Sequence, residues 1–174
     1  MRSSLAPAAG LVFALAACSP ELDWRELRPP ESGAELMVPC KPHGLMRPVV
    51  LAGQAVNLVL HACSAGGQTW GLAFAEVADP AHMGATLDAL RSTAMANIGA
   101  TAPGQASPLA VPGATPNPSS GRIRLSGHLP TGEAVQMEVA VFSRGTKAFQ
   151  ATVLGARLAD EQAQTFFASI RFVP

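Results

Sequence analysis

Residues 5–17 are uncharged and mostly apolar, follow a single early cation, Arg2, and end on Ala16 and Ala17 just before Cys18. This stretch decides which part of the chain is available to fold. A helix needs about 20 apolar residues to cross a hydrocarbon core of roughly 30 Å, so the run is too short to span a bilayer. A positive start, an apolar middle and small residues at the end are the parts of a secretory signal. The folding chain is therefore expected to begin after this run, in an exported compartment. No later segment approaches transmembrane length.

The four residues Leu15-Ala16-Ala17-Cys18 closely resemble the lipobox of bacterial lipoproteins. The resemblance implies cleavage before Cys18 and fatty acylation of Cys18. Ser19, where an aspartate would retain the protein at the inner membrane, implies the outer membrane, facing the periplasm. The plainer alternative is an ordinary cleaved signal ending in small residues. The physical difference is large: each buried methylene contributes about 0.8 kcal/mol, one acyl chain binds only marginally, and several on one cysteine hold firmly.

With Cys18 acylated, Cys40 and Cys63 remain. Exported chains favour disulfides, and two leftover cysteines are expected to pair. In the chain-entropy model the loop they close is worth about 3 kcal/mol. A redox-active pair would need the close Cys-X-X-Cys spacing that tunes a thiolate, and that spacing is absent. Twelve Lys and Arg balance twelve Asp and Glu, which argues against a nucleic-acid surface. The 174 residues leave enough chain for one domain with a real core.

Residues 18–33, with Pro20, Pro29, Pro30 and Gly33, read as a lipidated tether, although Trp24 and Leu27 offer apolar surface for docking. A single domain is expected over residues 34–174. Leu36, Val38 and Cys40 alternate as a first strand, and residues 48–51 form a short second one. Val56, Leu58, Leu60 and Ala62 share one face of a longer strand, by the period of two. Ala65-Gly66-Gly67 turns it into a strand led by Trp70, Leu72 and Phe74. The small residues Gly71, Ala73 and Ala75 on the other face would let a helix approach closely.

Asp79-Pro80 starts a helix with Met83, Leu87, Leu90, Ala94 and Ile98 at helical spacing, and Gly99 stops it. A Pro/Gly-rich surface loop follows at about 100–121, with a short strand expected at 109–111. Three half-buried strands of a meander come next. Ile123 and Leu125 alternate with Arg122 and Arg124; Val135, Met137, Val139 and Val141 alternate with Gln136 and Glu138; and Phe149, Ala151 and Val153 alternate with Gln150 and Thr152. Asp160 is expected to cap a last helix with Ala163, Phe166, Phe167 and Ile170 on its apolar face. Strands, helix, strands, helix in this order predict an α+β fold, an antiparallel sheet packed with two helices.

This layout resembles the Mog1/PsbP-like fold family. The resemblance rests on residues 37–42, the hairpin at 55–77, the helix at 80–98, the strand pair at 135–154 and the ending Phe166-Phe167-Ala168-Ser169-Ile170-Arg171-Phe172. It implies an α/β/α sandwich that serves as a binding or assembly module, with no site residues to carry over. Cys40 and Cys63 depart from most of that family.

No catalytic or metal motif stands out. His43, His61, His82 and His128 lack zinc spacing, although a Cys40–Cys63 bridge would bring His43 and His61 near each other. Ser64 grazes a nucleophile elbow but lacks its first glycine and opens a hairpin. Gly66-Gly67 lacks the Lys-Ser/Thr of a phosphate loop. Lys41, Arg47, Arg122 and Arg124 are either a basic patch or an ordinary charged sheet face, and Glu133 and Glu138 have no evident acid–base partner. The expected function is therefore a non-catalytic, lipid-anchored module with no cofactor. It meets the membrane through Cys18 and binds an envelope protein. The alternative is a small-ligand carrier or hydrolase using a cleft beside the 100–121 loop.

Overall fold

The computed structural model describes residues 21–102 and 104–173. The expected signal at 1–17, Cys18 and the first part of the expected tether lie outside the described residues. The elements are β1 (Arg25–Leu27), β2 (Ala34–Val38), β3 (His43–Leu51), β4 (Gln54–Ala65), β5 (Gln68–Glu76), α1 (Met83–Asn97), β6 (Gln105–Ser107), β7 (Gly121–His128), β8 (Ala134–Arg144), β9 (Lys147–Gly155), α2 (Asp160–Ser169) and β10 (Arg171–Phe172). A seven-stranded sheet runs β3-β4-β5-β9-β8-β7-β6, and a small sheet runs β1-β2-β10. Every pairing is antiparallel. The fold is α+β, with two helices on an antiparallel sheet.

The local chemistry explains the elements. Gly66 and Gly67 join β4 to β5 with φ of +60° and +68°, the backbone that a tight two-residue hairpin requires. Asp79 accepts a hydrogen bond from the Ala81 amide at 2.9 Å and opens a 3₁₀ turn at Pro80–His82, which leads into α1. Met83, Leu87, Leu90, Ala94 and Ile98 then bury against Val135, Met137, Val139 and Val141, one face of β8. The other face of the sheet presents Trp70, Leu72, Phe74, Phe142, Phe149 and Val153. It is covered by Phe166, Phe167 and Ile170 from the α2 end and by Leu36 and Val38 from β2. The central strands β5, β9 and β8 are thus buried on both sides.

Several expectations change. The second half of the expected tether belongs to the domain: Arg25 pairs with Val38, Leu27 with Leu36, and Trp24 meets Trp70 edge to face at 5.9 Å. The reason is that Trp24 and Leu27 add their apolar surface to the core under β2. The expected strand at 48–51 begins five residues earlier, at His43. The loop strand is β6 at Gln105–Ser107, while Leu109 and Val111 pack against the core instead. The tight helix approach falls not on Gly71 but on Gly127, where an added Cβ would lie 2.0 Å from the Ile98 carbonyl. That carbonyl accepts the His128 amide at 2.7 Å, so α1 ends bonded directly to β7.

Asp160 is not the cap of α2. Ala159 holds that position, the Leu158 and Ala159 amides bond to the side chains of Gln136 and Gln68, and Asp160 turns to Arg124 at 2.7 Å. Nor is the polar side of β7 and β8 solvated, because α2 lies over it and Arg122 and Glu138 are both buried. Glu138 is held between Arg122 and Arg124 at 2.8 and 3.0 Å. A second buried carboxylate, Glu35 of β2, is held in the same way between Arg28 and Arg171. Among the described residues the buried charges Glu35, Arg122 and Glu138 are all paired, as desolvation demands.

Candidate functional site

The sheet is finished unevenly. At its β3 end, Leu45, Met46 and Val50 are 51%, 65% and 70% exposed, the large apolar side chains that the fold leaves most open. β3 is the outer strand, bonded only to β4, so one side of its backbone faces outward. Partners in register share a face. Met46 therefore lies beside Val59, and Val59 beside Phe74, on the side covered elsewhere by α2 and β2. Leu45 lies beside Leu60 on the α1 side.

A groove of about 310 Å³ runs along this edge. Val59, His61 and Phe74 form its floor, Gly44 and Met46 its outer rim, and Pro30 and Glu31 its inner wall. The wall is a tight turn. Ser32 donates through its hydroxyl to the Pro29 carbonyl at 2.7 Å and accepts the Ala34 amide at 3.0 Å, and Glu31 is held at φ +62°. A non-glycine residue in that region is strained, and such strain concentrates at functional sites. The His61 ring lies across Gly44, with Cε1 3.0 Å from where a Cβ would stand. Burial pushes the His61 pKa below its ordinary value and favours the uncharged ring on the groove floor.

Pro48 shapes what this edge can accept. A two-residue turn, Ala52-Gly53, joins Leu51 to Gln54, and a turn of this kind closes on a hydrogen-bonded pair. Pairs alternate from there. Leu45, Arg47, Val49 and Leu51 point their backbone groups at β4, while Gly44, Met46, Pro48 and Val50 point theirs outward. Pro48 therefore takes nothing from the internal ladder, yet it removes one outward donor from the middle of the edge. This is how natural sheets blunt an edge against indiscriminate pairing.

Cys40 and Cys63 form a disulfide with Cα atoms 5.9 Å apart, tying the end of β2 to β4. The bridge does not join His43 and His61 into a metal site. His43 pairs with Ala62 and His61 with Gly44, so the two imidazoles lie on opposite faces of the sheet. Among the described residues no group of three or more His, Cys, Asp or Glu is placed to hold a metal ion.

Beside the 100–121 loop lies a polar cleft of about 360 Å³, lined by Gln105, Ser107, Arg122, Arg124, Glu138, Asp160 and Gln164. An apolar continuation of about 280 Å³ is lined by Leu109, Pro112, Phe167 and Ala168. Arg122 stands between them, its guanidinium stacked on the Phe167 ring at 4.0 Å and donating to Gln164 at 3.1 Å. Arg124 is held by Glu138 and Asp160, and those bonds raise its pKa above the ordinary arginine value. The charges in this cleft already answer one another.

The remaining sequence candidates separate. Lys41 and Arg47 lie at the β3 end of the fold, whereas Arg122 and Arg124 lie on β7, across four intervening strands, so no common basic patch forms. The Ser64 hydroxyl is 3.0 Å from that of Thr69 across the hairpin, as turn chemistry expects. His82 pairs with Asp79 at the start of α1. Residue-level reading passed over Leu45, Met46 and Val50; the available signal was apolar residues on both sides of a proline, the pattern of a guarded edge. Comparison with protein-family models and with curated proteins finds no match for the chain.

Proposed function

We propose that this protein is a lipid-anchored outer-membrane lipoprotein facing the periplasm, and that its domain is a non-catalytic module binding a protein partner at the β3 edge. The observation that carries the binding reading is the set Leu45, Met46 and Val50, exposed on an edge strand whose outer side is unpaired, beside a shallow apolar groove. Outer-membrane anchoring rests on the lipobox resemblance and Ser19. The partner is an extended, apolar segment of an envelope protein. It would bond to the outward backbone groups near Gly44 and Met46 and set one side chain in the groove over His61. The helices α1 and α2, packed on opposite faces of the larger sheet, support a Mog1/PsbP-like α/β/α sandwich as the finer fold reading.

A photo-crosslinking residue at Met46 of the acylated protein tests this in living envelopes. A discrete crosslinked partner from Met46, absent when the probe sits at the exposed Gln54, is the expected result. Equal crosslinking from both positions, or none from Met46, would overturn it. Met46→Asp should abolish the crosslinked product of a probe at Leu45 while changing stability by no more than about 0.5 kcal/mol, as for other exposed positions.

A second reading, a small-ligand carrier, is favoured by the joined polar and apolar clefts along α2. It requires a ligand that replaces Asp160 on Arg124. Asp160→Asn should then tighten binding of a carboxylate-bearing apolar ligand in calorimetric titration; no change in affinity would remove this reading.

A further inference from the structure

Leu22 lies against the β4–β5 turn, its Cδ2 only 3.0 Å from where a Cβ on Gly66 would stand. The next residue, Asp23, donates its amide to the Pro39 carbonyl at 2.8 Å, and Trp24 is packed on Trp70. The chain is therefore fixed to the domain from Leu22 onward. Four peptide units separate Leu22 from Cys18, a reach of about 14 Å at full extension. A tether of that length leaves no room for the domain to stand away from an anchor at Cys18.

We propose that the domain rides flush on the bilayer, with the Gly66-Gly67 turn end seated at the lipid headgroups. This rests on the lipoprotein reading above. The end carries both signs of charge: the Glu21 carboxylate, whose Oε1 is 3.9 Å from where a Cβ on Gly66 would stand, and two cations. Lys41 adjoins the disulfide that reaches β4, and the Arg157 carbonyl is 3.3 Å from where a Cβ on Gly155 would stand, next to the Gly67 carbonyl at 3.0 Å. Both cations are exposed, and neither makes an ion pair among the described residues. Most other cations of the domain are occupied by carboxylates. Lys41 and Arg157 can meet lipid phosphates while Glu21 stays in water, so the short tether, more than net charge, sets the seating. The far end of the same hairpin, at Gln54, lies roughly 35 Å away along β4. The β3 edge then runs from the membrane outward, open sideways to partners in the same leaflet or in the periplasm.

The test uses the acylated mature protein in phosphatidylethanolamine and phosphatidylglycerol vesicles. A fluorophore is introduced as an unnatural amino acid at exposed Ala156 or exposed Gln54, and quenched by headgroup spin-labelled lipid. The expected result is several-fold stronger quenching at Ala156 than at Gln54. An insert of about 20 Gly and Ser residues between Pro20 and Glu21, with a root-mean-square span of roughly 25 Å, should abolish the difference. Acylated protein that sediments with vesicles yet is quenched equally at both positions would overturn the flush seating and leave the lipoprotein reading standing. A difference that survives the insert would overturn the short tether as its cause. A chain whose intact mass shows no acylation would remove the lipoprotein reading and the seating together.

Discussion

The strands β5, β9 and β8 and the hairpin β3–β4 belong to one sheet but are held by different means. The first three are covered on both faces, by α1 on one side and by α2 with the small sheet on the other. The hairpin is covered only in part, with β3 mostly exposed while Leu51, Val49, Val56 and Leu58 reach the α1 core, and the disulfide encloses all of β3 and β4 up to Cys63. Burial keeps the centre in place, whereas a covalent bond and a tight turn keep the edge in place. A strand held without being covered can leave apolar side chains open to a partner at little risk to the fold.

The sharpest way to break this contrast is at the centre. Glu138→Ala would leave Arg122 buried without its carboxylate, at a cost of about 3–5 kcal/mol. Denaturant unfolding should show that loss with global cooperativity. Replacing both Cys40 and Cys63 with Ala comes next, at about 3 kcal/mol. Here amide hydrogen exchange should accelerate first over His43–Leu51 while β8 and β9 stay protected. Uniform acceleration across the sheet would contradict the division of labour.

Pro48→Thr probes the edge alone. It restores an outward donor, and should cost less than about 1 kcal/mol of monomer stability while driving self-association visible by sedimentation velocity. A strictly monomeric variant would show that Pro48 guards nothing. The smallest effect concerns His61. Its folded pKa lies below the ordinary value because the charged form is desolvated. The unfolded chain therefore takes up a proton first as pH falls, and stability that is full above about 6.5 declines below it, down to the folded value. The decline should be shallow, since the ring is only partly covered. It should vanish in His61→Gln when melts are compared between pH 7 and pH 5.

Elements whose cues are local were legible in the sequence. Asp79-Pro80 with its helical spacing located α1, and Gly66-Gly67 and Gly145 located two hairpins, because capping and positive φ are properties of a few neighbouring residues. The disulfide followed from counting cysteines in a chain expected to be exported. What escaped depended on distant covering. Arg122, Arg124 and Glu138 alternate with apolar residues as a solvated strand face does, and only α2, far along the chain, turns that face inward. The same reason hid the candidate groove. Its wall at Pro30 and Glu31 lies in a stretch that reads locally as tether, and nothing near Trp24 announces that Trp70 awaits it. Charge alternation describes a strand; it does not say what will be laid upon it.

The position of the disulfide also governs how the molecule bears mechanical load. A pull on the chain ahead of Glu21 falls first on the contacts of Leu22 and Asp23 and then on β1, joined to β2 by a short ladder from Arg25↔Val38 to Leu27↔Leu36. Tension passing beyond β2 reaches Cys40 and crosses through sulfur into Cys63, within the seven-stranded sheet. Residues 41–62 are bypassed. Stretching can peel the leading strand, but the exposed hairpin stays slack throughout.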